Sequence, residues 1–221
     1  VGPATSGPSL AMVDTANKSE IVLFSNAASA KIVEPVSERK WIFKSAQNDA
    51  VVIDKVIDYM KSKGYKKIAW MNQNDAYGES GRVVFVEKAT AAGLQVVAQE
   101  KFERSDTDMT PQLTRIKGLK PDAVLIWAIP PSASVVTKNY RDLGLPFPLI
   151  HSHGIGNKTF IDLAGPAANG VVFPIGRLLV AEQLPDSDPQ KAKLLEYAQA
   201  YEAKYGPRST FGGHMHDSFS M

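Results

Sequence analysis

The sequence predicts an α/β fold in which parallel strands are flanked by helices, and three observations carry that expectation. Short apolar runs alternate with amphipathic stretches along almost the whole of the 221 residues. Several of those runs are apolar at consecutive positions, as strands covered on both faces are. The amphipathic stretches repeatedly close on a glycine, the residue that most readily ends a helix. Strand and helix patterns in alternation imply crossover units and a parallel sheet.

The elements follow in order. GPATSGPS at the start precedes a helical stretch, and IVLF (21–24) is the first strand. Residues 48–63 set Val52, Ile53, Val56, Ile57 and Met60 on one helical stripe, with Gly64 as the stop. KIAWMN (67–72) is a strand, GESGRVVFVEKATAAG (78–93) a helix ending at Gly93, and LQVVAQ (94–99) the next strand. Leu113, Ile116 and Leu119 stand at helical spacing within 108–120. AVLIWAI (123–129) is a strand, 132–144 a helix that stops at Gly144 before Pro146, and PLIHS (148–152) and GVVFPI (170–175) are strands. AEQLPDSDPQ (181–190) reads as a surface loop or linker, followed by an amphipathic helix ending at Gly206. The opening VGPATSGPSL reads as mid-domain sequence, and HDSFSM stops just inside a helical pattern, so the chain is expected to be an internal portion of a longer protein.

Composition narrows the classes. Hydrophobic residues make up 44% and charged residues 22%, an ordinary balance for a soluble globular protein that can bury a core. The net charge of +2 is spread along the chain and forms no basic stripe, so a nucleic-acid partner is not expected. There are no cysteines, which excludes disulfides and thiolate metal sites. No apolar run approaches the ~20 residues of a membrane span, so direct insertion by a helix is not expected.

Three kinds of site compete. The first is metal binding: LIHSHG and GGHMHD each place two histidines two residues apart. On a strand His151 and His153 would share a face, whereas at a helix start His214 and His216 diverge by about 200°. No Asp, Glu or Cys stands at a supporting spacing, so no metal is assigned. The second is catalysis, for which no nucleophile elbow, metalloprotease helix, phosphate loop or dinucleotide turn is present. Asp106 and Asp108 read as turn and capping residues, and no nucleophile–base pair can be assembled, so neither an enzyme nor a cofactor is expected. The third is small-ligand recognition by loops at the carboxyl ends of strands. GPATSGPS opens a helix at which Ser6 and backbone N–H groups would receive an anion, SNAAS (25–29) follows the first strand, NDAYG (74–78) carries Tyr77, and His153 follows PLI. Ser6 and Ser29 also read as plain helix caps, a role compatible with binding.

GPATSGPSLA, IVLFSNAASAKI, KKIAWMNQNDAYGESGR, KPDAVLIWA and LIHSHGIGNKTFIDLAG followed by GVVFPI occur in an order and spacing that resembles the periplasmic solute-binding proteins of branched-chain amino-acid ABC transporters. The resemblance covers essentially the whole chain. It implies the two-lobe type I fold, closing on its ligand as a hinged trap, with residues 1–47 in lobe one, 48–175 as lobe two and 176–221 returning to lobe one. Lobe one is then incomplete within this sequence. It also implies a periplasmic or extracytoplasmic location and a membrane ABC permease as partner.

The resemblance further assigns residues. Ser6, Ser29 and the main chain at Ala27 stand where the family holds a ligand carboxylate, Tyr77 matches a tyrosine that closes over the ligand, and Phe211 falls at an aromatic wall. Two positions depart from an amino-acid binder. His153 stands where such a protein has an acidic partner for the ammonium, and Ile129 where it has a second tyrosine, with Trp127 and Pro130 expected close by. A buried ammonium without a carboxylate costs several kcal/mol. The expected ligand is therefore a small carboxylate without an α-ammonium, an aromatic acid or a 2-keto acid. A branched-chain or other neutral amino acid, an amide or urea, and a sensory domain of the same fold stand as alternatives.

Overall fold

A computed structural model describes residues 1–221. Its centre is a four-stranded parallel sheet, in the order β4-β3-β5-β6, made of β3 (Lys67–Gln73), β4 (Gln95–Phe102), β5 (Ala123–Trp127) and β6 (Leu149–His151). Beside it β1 (Leu23–Ser25) and β2 (Ile42–Lys44) form a two-stranded parallel sheet. The helices are α1 (Ser6–Lys18), α2 (Asp49–Ser62), α3 (Ala76–Ala91), α4 (Thr110–Leu119), α5 (Ser132–Asp142), α6 (Lys158–Ala164), α7 (Lys191–Tyr205) and α8 (Thr210–Ser220). This is the α/β architecture of parallel sheets flanked by helices that the sequence predicts.

Why the central sheet is parallel follows from its side chains. β5 is buried at every position, and β3 at all but Lys67. Alternate residues enter opposite cores: Ala69, Met71, Val124 and Ile126 join a cluster of 17 buried residues, while Ile68, Trp70, Leu125 and Trp127 join one of 16. Both faces are thus closed by helices, which only crossover connections can supply. The stripe foreseen on α2 packs in the second cluster with every one of its five residues buried.

Two expectations are corrected, and one strand appears that the sequence did not predict. GVVFPI forms no strand: only an isolated bridge joins Val172 to Ile150, because Pro174 lacks the donor a further ladder needs. β2 carries no apolar run of its own, since Phe43 is 45% exposed and Lys44 follows it; pairing with β1 makes it a strand. His214 and His216 lie within α8 rather than at its start, after Ser209 caps the helix by accepting the Gly212 N–H at 3.1 Å. Asp108 accepts the Thr110 N–H at 2.8 Å and Asp106 the Glu103 N–H at 2.9 Å, the turn and capping roles expected of them.

The order of the central sheet positions a site. From β3 the chain moves outward to β4, then returns to the other side of β3 for β5. A crevice opens where the winding reverses, outside the carboxyl ends of the strands.

Candidate functional site

A cavity of about 300 Å³ occupies that crevice. Each central strand contributes to it from the second residue beyond its end: Asp75 after β3, Arg104 after β4, Ile129 after β5 and His153 after β6. Opposite them stand Asn26 and Ala28 after β1, Ala46 after β2, and the Ala4–Pro8 segment that opens α1. Thr210, Phe211 and His214 reach it from α8.

Ser6, Tyr77, Ile129, His153 and Phe211 line this cavity together. Ala27 and Ser29 stand behind the wall, buried, with their polar groups engaged elsewhere. The Ala27 N–H donates to Ser25 Oγ at 3.1 Å, and Ser29 Oγ donates to Ser80 Oγ at 2.9 Å, which in turn donates to Asp49 Oδ2 at 2.6 Å. Ser29 also donates its N–H to Ser6 Oγ at 3.3 Å. With a lone pair of Ser6 Oγ occupied in this way, its hydrogen is left for another acceptor.

The anionic end of a ligand has an evident host. α1 starts without an acidic residue in its first turn, and Thr5 precedes it in extended conformation without a side-chain capping bond. The N–H groups of Ser6 and Gly7 therefore keep the unpartnered state of a helix start, and Pro8 has none to satisfy. These donors and the Ser6 hydroxyl sit at the positive pole of a 13-residue helix.

The opposite wall rests on an aromatic stack. Phe85 stacks on Trp70 at 5.0 Å and Trp70 on Trp127 at 5.6 Å, and Trp127 meets Tyr77 at 5.7 Å and the edge of His153 at 5.7 Å. Trp127 is wholly buried, so it supports the wall from behind, and Pro130 does not reach the cavity. Glycines make the approach possible: a Cβ at Gly81 would stand 2.5 Å from the Trp127 indole, and one at Gly78 would stand 1.8 Å from the Gln73 carbonyl. The Tyr-Gly pair thus lets the first turn of α3 lie against the end of β3.

His153 and His151 part company because β6 ends at His151 and the strand alternation stops there. His151 is fully buried, bonded through Nε2 to Thr137 Oγ1 at 3.0 Å, and burial lowers its pKa to about 3. His153 is half-buried in the cavity wall, with Nδ1 3.5 Å from the Tyr77 hydroxyl. Desolvation, then His214 and Lys44, lower its pKa to about 3 as well. Burial also holds the Tyr77 phenol well above its usual value, so it stays a neutral donor. Both histidines are neutral in ordinary buffers, and no group of three His, Asp or Glu side chains is gathered in a metal-binding arrangement.

Sequence reasoning missed Gln73, Asp75, Arg104 and His214 in the lining. The first two had a signal in the turn after KIAWMN, and Arg104 had one in its place just past a strand. Asp75 is the N-cap of α3, its Oδ1 accepting the Gly78 N–H at 2.8 Å and its Oδ2 accepting from the Gln73 amide, whose carbonyl accepts from Ser132 at 2.6 Å. For His214 there was none, because its position depends on how α8 docks: Ser218 Oγ donates to Asn26 Oδ1 at 2.7 Å, and Ser45 Oγ lies 2.9 Å from the His214 carbonyl.

Known proteins share this fold. A leucine/isoleucine/valine-binding protein of Rhizobium johnstonii, BraC3, is 25% identical over 175 residues, covering 78% of this chain and 47% of the relative. An extracellular ligand-binding receptor from Rhodopseudomonas palustris HaA2 is 30% identical with a TM-score of 0.91, over 98% of this chain and 61% of that one. The branched-chain amino acid substrate-binding protein LivJ of Streptococcus pneumoniae, solved with isoleucine, is 26% identical with a TM-score of 0.82, over 98% of this chain and 60% of that one. The chain therefore spans about half the length of its curated relative and about three-fifths of the solved ones. The family model described as periplasmic binding protein matches residues 1–221, and with the crevice at the strand ends this means that the chain belongs to the periplasmic binding protein family.

Proposed function

We propose that the chain is part of the extracytoplasmic solute-binding component of an ABC importer, a non-enzymatic protein that captures a small carboxylate, an aromatic acid or a 2-keto acid. Residues 1–47 and 176–221 are read as parts of lobe one and 48–175 as lobe two, with the cavity between them. The membrane permease is the partner to which the solute is passed.

One observation carries the choice of ligand: the cavity lining holds a single carboxylate, and that one caps a helix. Its single acidic lining residue, Asp75, is the N-cap of α3, its two oxygens accepting from the Gly78 N–H and the Gln73 amide. An α-ammonium held beside Ser6 and His153 would lose its hydration with no carboxylate other than that helix cap to meet it, and a buried ion left unpaired costs several kcal/mol. A carboxylate, by contrast, meets the α1 pole and the Ser6 hydroxyl, where each charge-assisted hydrogen bond contributes about 1.5–3 kcal/mol. Neutral His153 adds a donor: when Tyr77 donates to Nδ1, the imidazole keeps its proton on Nε2. Ile129 and Phe211 supply apolar surface for the ligand body.

The test is a calorimetric titration with benzoylformate, 4-hydroxybenzoate, 4-methyl-2-oxopentanoate and leucine. Binding of an acid with leucine silent is expected, and His153→Glu should weaken that acid at least about tenfold by setting a second anion beside it. Tight leucine binding with the acids silent would overturn the reading and return the protein to the amino-acid specificity that its relatives' names carry.

A further inference from the structure

We infer that Arg104 is a specificity-determining residue of this cleft and that it selects an elongated dicarboxylate over the corresponding monoacid. The inference rests on the carboxylate reading above and deepens it.

Arg104 follows β4 by two residues, the same station from which Asp75, Ile129 and His153 enter the cavity from the other three strands. Five lining side chains have ionisable heads, and burial keeps the Tyr77 phenol neutral. His153 and His214 are held toward the neutral form, both chiefly by burial, and the Asp75 carboxylate is occupied as a helix cap. Arg104 is thus the one cation in the lining, and its guanidinium has no partner within the chain. The neighbouring carboxylates make other bonds and none to the exposed Arg104: Glu103 accepts from the Asn74 amide at 2.5 Å, and Asp106 accepts the Glu103 N–H at 2.9 Å. The same two bonds, with the Asn74 N–H donating to the Phe102 carbonyl at 2.7 Å, fix the chain just before and after Arg104.

The strand order sets the length of the ligand. β4 and β6 are the two edges of the central sheet, so Arg104 and His153 stand three strand spacings apart, roughly 14 Å between backbones. A monoacid placed at the α1 pole and His153 leaves the Arg104 end unmet. A second carboxylate at the far end of the body offers the planar, two-oxygen partner that a guanidinium fork binds best.

The experiment is a titration of the protein and of Arg104→Gln and Arg104→Lys with terephthalate against 4-methylbenzoate, which replaces one carboxylate by a methyl of similar size, and with adipate against hexanoate. The expected result is a preference of at least about tenfold for a diacid over its monoacid. Arg104→Gln should abolish that preference, with the diacid losing at least about tenfold more affinity than its monoacid, while Arg104→Lys restores only part of it. A diacid preference that survives in Arg104→Gln, or a protein that prefers the monoacids, overturns the inference and leaves the carboxylate reading standing. Failure to bind any of these acids while benzoylformate or 4-methyl-2-oxopentanoate binds overturns the inference alone, and silence toward those as well overturns both.

Discussion

The two sides of the cleft are built differently. Behind the central sheet lie clusters of 17 and 16 buried residues, one on each face. Behind β1 and β2 lies a cluster of five, Val13, Leu23, Ala27, Ile32 and Ile42. What each side presents to the cavity follows that inequality. The strongly packed side offers Tyr77 and His153, whose positions depend on the stack of Phe85, Trp70 and Trp127. The lightly packed side offers what a small core can still hold in place, the start of a helix and a serine hydroxyl. Side chains that must be aimed accurately need rotamers locked by packing, whereas backbone donors are aimed by the helix itself.

The largest expected effect tests that inequality directly. Trp70→Ala removes the middle of the aromatic stack and should lower the free energy of unfolding by about 3–5 kcal/mol in denaturant titrations. Ile32→Ala, equally buried but in the five-residue cluster, should cost about 2–3 kcal/mol. Equal losses would mean that the two sides share one cooperative core, and the comparison would fail.

Acidification gives the next effect, because the packed side buries neutral imidazoles. Between about pH 6.5 and pH 3 the unfolded chain carries protons on His151 and His153 that the native chain lacks, so stability falls as pH drops through that window. Asp49, raised to about 6 chiefly by burial, has the opposite sign: from about pH 6 to 3.8 the native state holds the proton that the unfolded state has released. His214, lowered chiefly by burial, and Glu79, held at about 2 chiefly by Arg82, act in the same direction as His151 and His153, so the net is a loss on acidification. His151 alone accounts for roughly 2 kcal/mol between pH 6.5 and 5. His151→Gln should flatten the pH dependence of unfolding by about that amount, and an unchanged slope would remove the histidine from the account.

These two regions were not equally legible in the sequence. The central sheet was, because burial on both faces writes itself as consecutive apolar residues, and β3 and β5 begin where KIAWMN and AVLIWAI do. The stripe on α2 was legible because burial of one helix face repeats at helical spacing. β2 was not: a three-residue strand with Phe43 exposed carries no pattern, and only its neighbour β1 makes it one. In the candidate site, Ser6, Tyr77, Ile129, His153 and Phe211 were nominated by the strand-end rule and by resemblance, and all five line the cavity. Ser29 and Ala27 were nominated on the same grounds, yet the local chain turns their polar groups toward Ser80 and Ser25. The Ser29 hydroxyl is engaged by Ser80, 51 residues away in the chain, and no local pattern reports it.

The smallest effect separates two helices with the same kind of start. Asp75 caps α3 and Ser209 caps α8, each accepting the N–H three residues on, at 2.8 and 3.1 Å. The first helix brings Tyr77 to the cleft from the packed side, the second brings Phe211 and His214 from the other. α8 is also tied down by Ser218 on Asn26 and by Ser45 on the His214 carbonyl, so its cap is one anchor among several. Ser209→Ala should therefore cost about 1 kcal/mol, a fall of about 2–4 °C in Tm for a chain of this size, with solute affinity changed less than about threefold. A larger loss of affinity than of stability would mean that the cap, rather than the polar ties to Asn26, aims Phe211 into the cavity. In that case the lightly packed side depends on local helix chemistry even for its one aromatic contribution.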